Sequence, residues 1–183
     1  MLNMKTSEIK GGLSFIRHRV IEIVKSRGRC IGVKAQSAVT GEIQEISGNI
    51  LVNATGAWAD IVARMAGSEV PMTLSKGSLV ITNHRLTDMV INRLRPSSDG
   101  DIIVPNEAVC LAGTTSLPVE DPDRIRIEPA EADVIVTEAG KMIPHFNQTR
   151  IIRAFSGVRP LLKSQKLDSR EITRGFQIID HGN

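Results

Sequence analysis

Four arginines in the last third of the chain, Arg150, Arg153, Arg159 and Arg174, are the residue types best suited to holding an anion. A guanidinium is a planar fork that donates two parallel hydrogen bonds to a phosphate or carboxylate. Arg159 lies between Gly157 and Pro160, where proline restricts the backbone. A charged side chain in a constrained segment is a binding candidate, because rigid elements present functional loops. Arg159 and Arg174 are therefore candidates for phosphate, with a solvated surface position as the competing reading. Arg150 and Arg153 read as surface arginines.

A second candidate is the run from Ile50 to Trp58. A buried strand that ends in a small-residue turn before a helix can serve an anion or cofactor. Its glycine permits close backbone approach, and the first N–H groups of the helix face the ligand. An ordinary strand-to-helix turn uses glycine as readily, so the residues alone leave both readings open. Lys76-Gly77-Ser78 and Gly113-Thr114-Thr115 are similar: N–H groups and hydroxyls for a ligand, or plain turns. The histidines His18, His84, His145 and His181 have no triad or metal-ligand spacing and read as structural. Cys30 and Cys110 sit in apolar stretches as buried thiols, with no metal expected. No G-x-G-x-x-G, Walker A loop or G-x-S-x-G elbow occurs.

The elements that must carry these residues are mixed. Phe15 to Lys25, Arg29 to Gln36 and Glu42 to Ser47 read as a strand meander, with turns at Ser26-Arg27-Gly28 and Thr40-Gly41. Asn49 to Ala54 is an apolar run suited to a buried parallel strand. Trp58, Ile61, Val62, Met65 and Ala66 form one helical face, closed by Gly67. The middle third predicts an antiparallel sheet from Val70–Leu74, Gly77–Thr82, Val90–Leu94, Asp101–Pro105, Val109–Gly113 and Arg124–Ile127. A helix follows, with Pro129 in its first turn and Glu128 and Glu131 favouring its N-terminus; Pro144 ends it. Arg150–Phe155 and Glu171–Asp180 are the last strand candidates. The fold class is mixed α/β, of the α+β kind.

Composition narrows the function. The 183 residues hold 41% hydrophobic and 23% charged side chains, as soluble domains do. Four Phe, one Trp and no Tyr leave little for base stacking, and a net charge of +3 is too small for phosphate tracking, so nucleic acid is not an expected partner. There is no apolar run of membrane-span length and no signal-peptide core at the N-terminus, which gives a cytoplasmic expectation.

The runs LVNATGAWAD, LSKGSLVITNHRL, INRLRPSSDGDIIVP, LAGTTS, RAFSGVRPLL and REITRGFQIIDH resemble, in order and over most of the chain, the catalytic subunits of anaerobic glycerol-3-phosphate dehydrogenases. These belong to the D-amino-acid oxidase-like flavoenzymes. The resemblance implies FAD as cofactor and oxidation of sn-glycerol 3-phosphate to dihydroxyacetone phosphate, with electrons passed to quinone. It implies a partial FAD-binding domain over 1–67, an antiparallel substrate domain over 68–149, and a return to the FAD-binding domain over 150–183. Val20 matches a backbone position near the adenine end. Ala54, Thr55, Gly56 and Trp58 match a segment beside the cofactor. Arg159 and Arg174 match residues that contact the substrate phosphate.

The same resemblance implies partner subunits at the inner face of the membrane. It would place a G-x-G-x-x-G unit before Met1 and a GGK segment after Asn183. The chain is accordingly expected to be an internal fragment, inactive alone, with a sheet edge open to self-association. No catalytic base is identified. Two other functions remain open: a phosphate-ester binding module, and a structural domain completed by another chain.

Overall fold

The computed structural model describes residues 2–162, 175 and 177–182. These form two compact units. The first takes 2–55, 59–69 and 178–182, and the second 56–58, 70–162, 175 and 177.

In the first unit, strands β1 (His18–Ser26), β2 (Arg29–Ser37) and β3 (Ile43–Ser47) form an antiparallel meander in the order β1-β2-β3. Ser26 pairs with Arg29, so Arg27 and Gly28 are the whole turn, and both have positive φ (50° and 82°). That is the turn whose twist matches the strands it joins, and glycine adopts it without a Cβ clash. Ile23 and Ala35 are buried against this sheet. A short helix α1 (Leu2–Ile9), not anticipated from sequence, buries none of its residues.

Helix α2 (Ala59–Met65) lies where the periodicity placed it, entered through a 3-10 turn at Gly56–Trp58 and closed by Gly67 at φ 72°. Its buried side is different from the one expected. Ala63 and Ala66 face inward, while Trp58, Ile61 and Met65 stay exposed. Small residues let the helix approach its own unit closely, so the larger ones are turned out.

The expected buried strand at Asn49–Ala54 is not formed. No described strand pairs with it, and Ile50 and Val52 are 85% and 78% exposed. A strand exists only as part of a ladder, and an apolar run supplies only one side of it.

The second unit is a six-stranded antiparallel sheet. Strand β4 (Met72–Thr82) is its spine. It joins the two expected strands Val70–Leu74 and Gly77–Thr82 through Ser75 and Lys76. Along one edge β4 pairs with β7 (Val109–Gly113) at residues 79–81 and with β8 (Leu117–Val119) at residues 74–76. Strands β6 (Ile102–Asn106) and β5 (Ile91–Asn92) continue outward from β7. Strand β9 (Ile151–Leu162) pairs along the full length of β4 and therefore takes its other edge.

Helix α3 (Pro129–Gly140) packs on β4 and β7. Val80, Ile103, Cys110, Ala112, Ile135, Ala139 and Phe146 are all 0% exposed and make the core between them. The expected strand Arg124–Ile127 is absent, and β8 takes the place on β4 instead.

Strand β9 reaches beyond the expected Phe155 through Ser156-Gly157-Val158-Arg159-Pro160. The segment 150–162 lies in the second unit. The expected loop Lys163–Arg170 and half of the expected strand Glu171–Asp180, including Arg174, lie outside the described residues; Gln177–Asp180 is not in a strand.

Candidate functional site

Alternation along β4 sets the chemistry of the second unit. Lys76 and Ser78 point to one face, and Ser75 and Gly77 to the other. The first face lies under α3. There Lys76 Nζ contacts Glu131 Oε2 at 2.7 Å and donates to the Arg126 carbonyl at 2.7 Å. Ser78 Oγ donates to Glu131 Oε1 at 2.8 Å, and Thr115 Oγ1 donates to the same oxygen at 3.2 Å. The N–H of Glu128, which caps α3, donates to Glu131 Oε2 at 3.0 Å.

Lys76 and Glu131 are both buried, at 7% and 6% exposure. Burial pushes the Glu131 carboxyl up. The bonds from the Glu128 N–H, Lys76 and Ser78, with the Lys76 charge, outweigh that and hold it below its ordinary 4.5. A lowered folded pKa stabilises above the unfolded pKa and is lost as pH falls through the folded value. Acid unfolding should therefore steepen below pH 4.5, and the Glu131→Gln variant should show a shallower acid limb in pH-dependent urea unfolding. Identical limbs would count against this reading of Glu131.

The opposite face holds Arg159. It is paired with Ser75 in the β4–β9 register, and the half-buried Arg159 side chain runs back across β4 over Gly77. There Nη2 donates to Thr114 Oγ1 at 2.6 Å and Nη1 donates to the Thr115 carbonyl at 3.2 Å. A Cβ on Gly77 would lie 2.2 Å from Nη2 and 2.5 Å from Cζ. The glycine is required by the arginine that crosses it. Beside this crossing, the Ser75 and Ser116 hydroxyls are 2.9 Å apart.

Gly77 from the Lys76-Gly77-Ser78 run and Thr114 and Thr115 from the Gly113-Thr114-Thr115 run, each run readable as a turn, thus meet one guanidinium. Sequence reasoning marked Glu131 only as a helix-start residue and missed its pairing with Lys76. The signal available was an acidic residue three positions after an N-cap, which also fits an ordinary capping box.

The other expected residues divide between the units. Val20, half-buried in β1 opposite Ala35, lies in the first unit with Ala54 and Thr55. Thr55 is tied back to Asn53, whose Oδ1 accepts from Thr55 Oγ1 at 2.7 Å; Asn53 Nδ2 donates to the Ala59 carbonyl at 2.8 Å. Gly56 and Trp58 belong to the second unit, where the Trp58 indole N–H donates to Asp123 Oδ1 at 3.0 Å.

A cleft of about 550 Å³ is lined in part by Asp123, Arg124, Arg126 and Lys76. Arg159 does not line it, so the guanidinium crossing is a separate candidate for anion chemistry. Among the described residues no cluster of His, Cys, Asp and Glu could hold a metal, and no helix is long and apolar enough to cross a membrane.

Residues 5–179 match the family described as FAD dependent oxidoreductase. The chain belongs to this family. It is 37% identical over 182 residues to an anaerobic glycerol-3-phosphate dehydrogenase subunit from Escherichia coli K12, an alignment covering 98% of this chain and 34% of that protein. The corresponding subunit from Haloferax volcanii is 36% identical over 190 residues, covering 97% of this chain and 32% of that one. Among solved structures, the glycerol-3-phosphate dehydrogenase of Bacillus halodurans complexed with FAD shares the fold, with a TM-score of 0.76 at 24% identity, over 89% of this chain and 34% of that one. The chain spans about a third of the length of these relatives.

The residues present fit part of the flavin that the family implies. In the first unit Val52–Thr55 is exposed, and in the second Gly56 has φ 61° with no described atom within 4 Å of a Cβ position, so each permits a close approach to its backbone. The 183 residues contain no G-x-G, and hence no glycine-rich turn for a dinucleotide pyrophosphate.

Proposed function

We propose that this chain is the phosphate-recognising part of an FAD-dependent glycerol-3-phosphate dehydrogenase. The observation that carries this reading is the Arg159 guanidinium, held over Gly77 by Thr114 and Thr115. Relatives named for glycerol 3-phosphate support the substrate class. Arg159 grips the substrate phosphate, and Arg174, assigned from the sequence resemblance alone, is its second cationic contact. The gripped phosphate orients the C2 carbon, whose hydroxyl loses its proton as the hydride leaves. When bound, FAD supplies the hydride acceptor, with quinone as the final electron sink.

Val20 flanks the adenine end, and Ala54, Thr55, Gly56 and Trp58 lie beside the cofactor. Residues 1–67 and 68–149 act as flavin-side and substrate-side portions. The Escherichia coli and Haloferax volcanii relatives are named as subunits, which supports partner subunits here, with attachment to the inner face of the membrane through them. Without a glycine-rich turn of its own, the isolated chain is inactive, and an incomplete flavin-side sheet leaves an edge that favours self-association.

The test is calorimetric titration of the chain with sn-glycerol 3-phosphate, with and without FAD. Binding should weaken about tenfold in the Arg159→Lys variant, because a point charge replaces a fork. Unchanged affinity in that variant would overturn the assignment. Phosphate-dependent binding with no flavin uptake would favour a phosphate-ester binding module.

A further inference from the structure

Thr115 touches both faces of the sheet. Only 2% of it is exposed. Its Oγ1 accepts from the Ser78 N–H at 3.0 Å and donates to Glu131 Oε1 at 3.2 Å. Its own N–H donates to the Ser78 carbonyl at 3.4 Å. Its carbonyl accepts from Arg159 Nη1 at 3.2 Å. The carboxylate that receives the hydroxyl is itself fixed by the first turn of α3 and by Lys76. A continuous line of bonds therefore runs from α3 through Glu131 and Thr115 to the guanidinium.

We infer that Thr115, clamped by Glu131, is the positioning residue that sets Arg159 for phosphate recognition. This rests on the reading of Arg159 as the phosphate anchor. An arginine is rich in rotamers, and ordering it before the ligand arrives removes that entropy loss from binding. Binding groups held by an outer set of hydrogen bonds lose affinity when that set is cut, even though no ligand contact is removed. Thr115 supplies such a set without facing the ligand: its hydroxyl is directed to Glu131, and only its carbonyl meets Arg159. The neighbouring Thr114 hydroxyl holds the other guanidinium nitrogen at 2.6 Å, so the fork is pinned at both tips.

The experiment uses the full chain with sn-glycerol 3-phosphate as probe. Calorimetric affinities are measured for Thr115→Val and Thr115→Ser, each alone and combined with Arg159→Lys. Side-chain Nε–Hε spectra of Arg159 are recorded without ligand, below the melting temperature of every variant. Thr115→Val should weaken binding about tenfold, the low end for cutting an outer-shell bond. Thr115→Ser, which keeps the hydroxyl, should restore it. In the Arg159→Lys background Thr115→Val should cost nothing further, since an ammonium has no fork to orient.

The Nε–Hε resonance should be sharp in the parent and in Thr115→Ser and broadened in Thr115→Val. Equal losses in both backgrounds would show a merely structural role and overturn the inference, as would a resonance equally sharp in all three. Failure of the parent chain to bind through Arg159 would instead overturn the phosphate reading. The ligand-free spectra still decide whether Thr115 positions the guanidinium.

Discussion

Replacing Lys76 with alanine should destabilise the second unit by about 3–5 kcal/mol, the usual cost of leaving a buried carboxylate without its counter-charge. Glu131 is almost completely buried and shares its two oxygens among Lys76, Ser78, Thr115 and the α3 cap. Those donors are neutral apart from Lys76, so the variant keeps the hydrogen bonds and loses the charge balance. The Arg126 carbonyl also loses its donor. Urea unfolding followed by circular dichroism at pH 7 is the measurement.

Two controls separate charge from packing. A Lys76→Met/Glu131→Gln double variant should recover a large part of the loss, because an amide still accepts from the two hydroxyls and carries no charge. The gap between parent and Lys76→Ala should also narrow below pH 4.5, where an unpaired Glu131 protonates more readily than a paired one. An unchanged urea midpoint in Lys76→Ala would remove the ion pair from any account of stability.

Gly77→Ala should behave in the opposite way. A methyl at this position meets only the end of the Arg159 side chain, and that end can swing aside. Folding stability should stay within about 1 kcal/mol of the parent, since alanine also lowers the entropy of the unfolded chain. The affinity for glycerol 3-phosphate should fall about tenfold, as in Arg159→Lys, because the guanidinium fork loses its seat. Calorimetry paired with a thermal melt reads both quantities on one sample. Retained affinity with a displaced guanidinium would mean that the phosphate is held elsewhere. Loss of folding would mean that the crossing is tighter than the side chain can relieve.

Local features were legible in the sequence. Ser26-Arg27-Gly28 specified a tight turn, and Pro129 with Glu128 and Glu131 specified the start of α3. Val109–Gly113 was placed at its observed bounds. The misreadings share one physical origin, in that each depends on a partner remote in the chain. Ser75-Lys76-Gly77-Ser78 looks like a break between strands. It continues β4 because Glu131 takes the Lys76 and Ser78 side chains, the Ser75 hydroxyl meets Ser116, and Thr115 Oγ1 accepts from the Ser78 N–H. Asn49–Ala54 looks like a buried strand, and among the described residues it lacks a ladder neighbour.

The site shows the same division. Arg159 was picked by residue type and by the Gly157–Pro160 frame. Its seat over Gly77 required the β4–β9 register, which a single sequence does not display. Arg174 was picked by type and resemblance and lies outside the described residues.

That register also bears on how the chain folds. Gly77 and Gly157 face each other from positions roughly eighty residues apart, a separation that makes pairing slow relative to the local hairpins. A slip of one residue would turn Arg159 to the opposite face of the sheet, away from Thr114 and toward the side occupied by Lys76. If Arg159 is the phosphate anchor proposed above, phosphate affinity depends on one alignment of two distant strands. Misaligned chains would then keep their sheet content and lose the ligand, so that binding would report correctly completed folding.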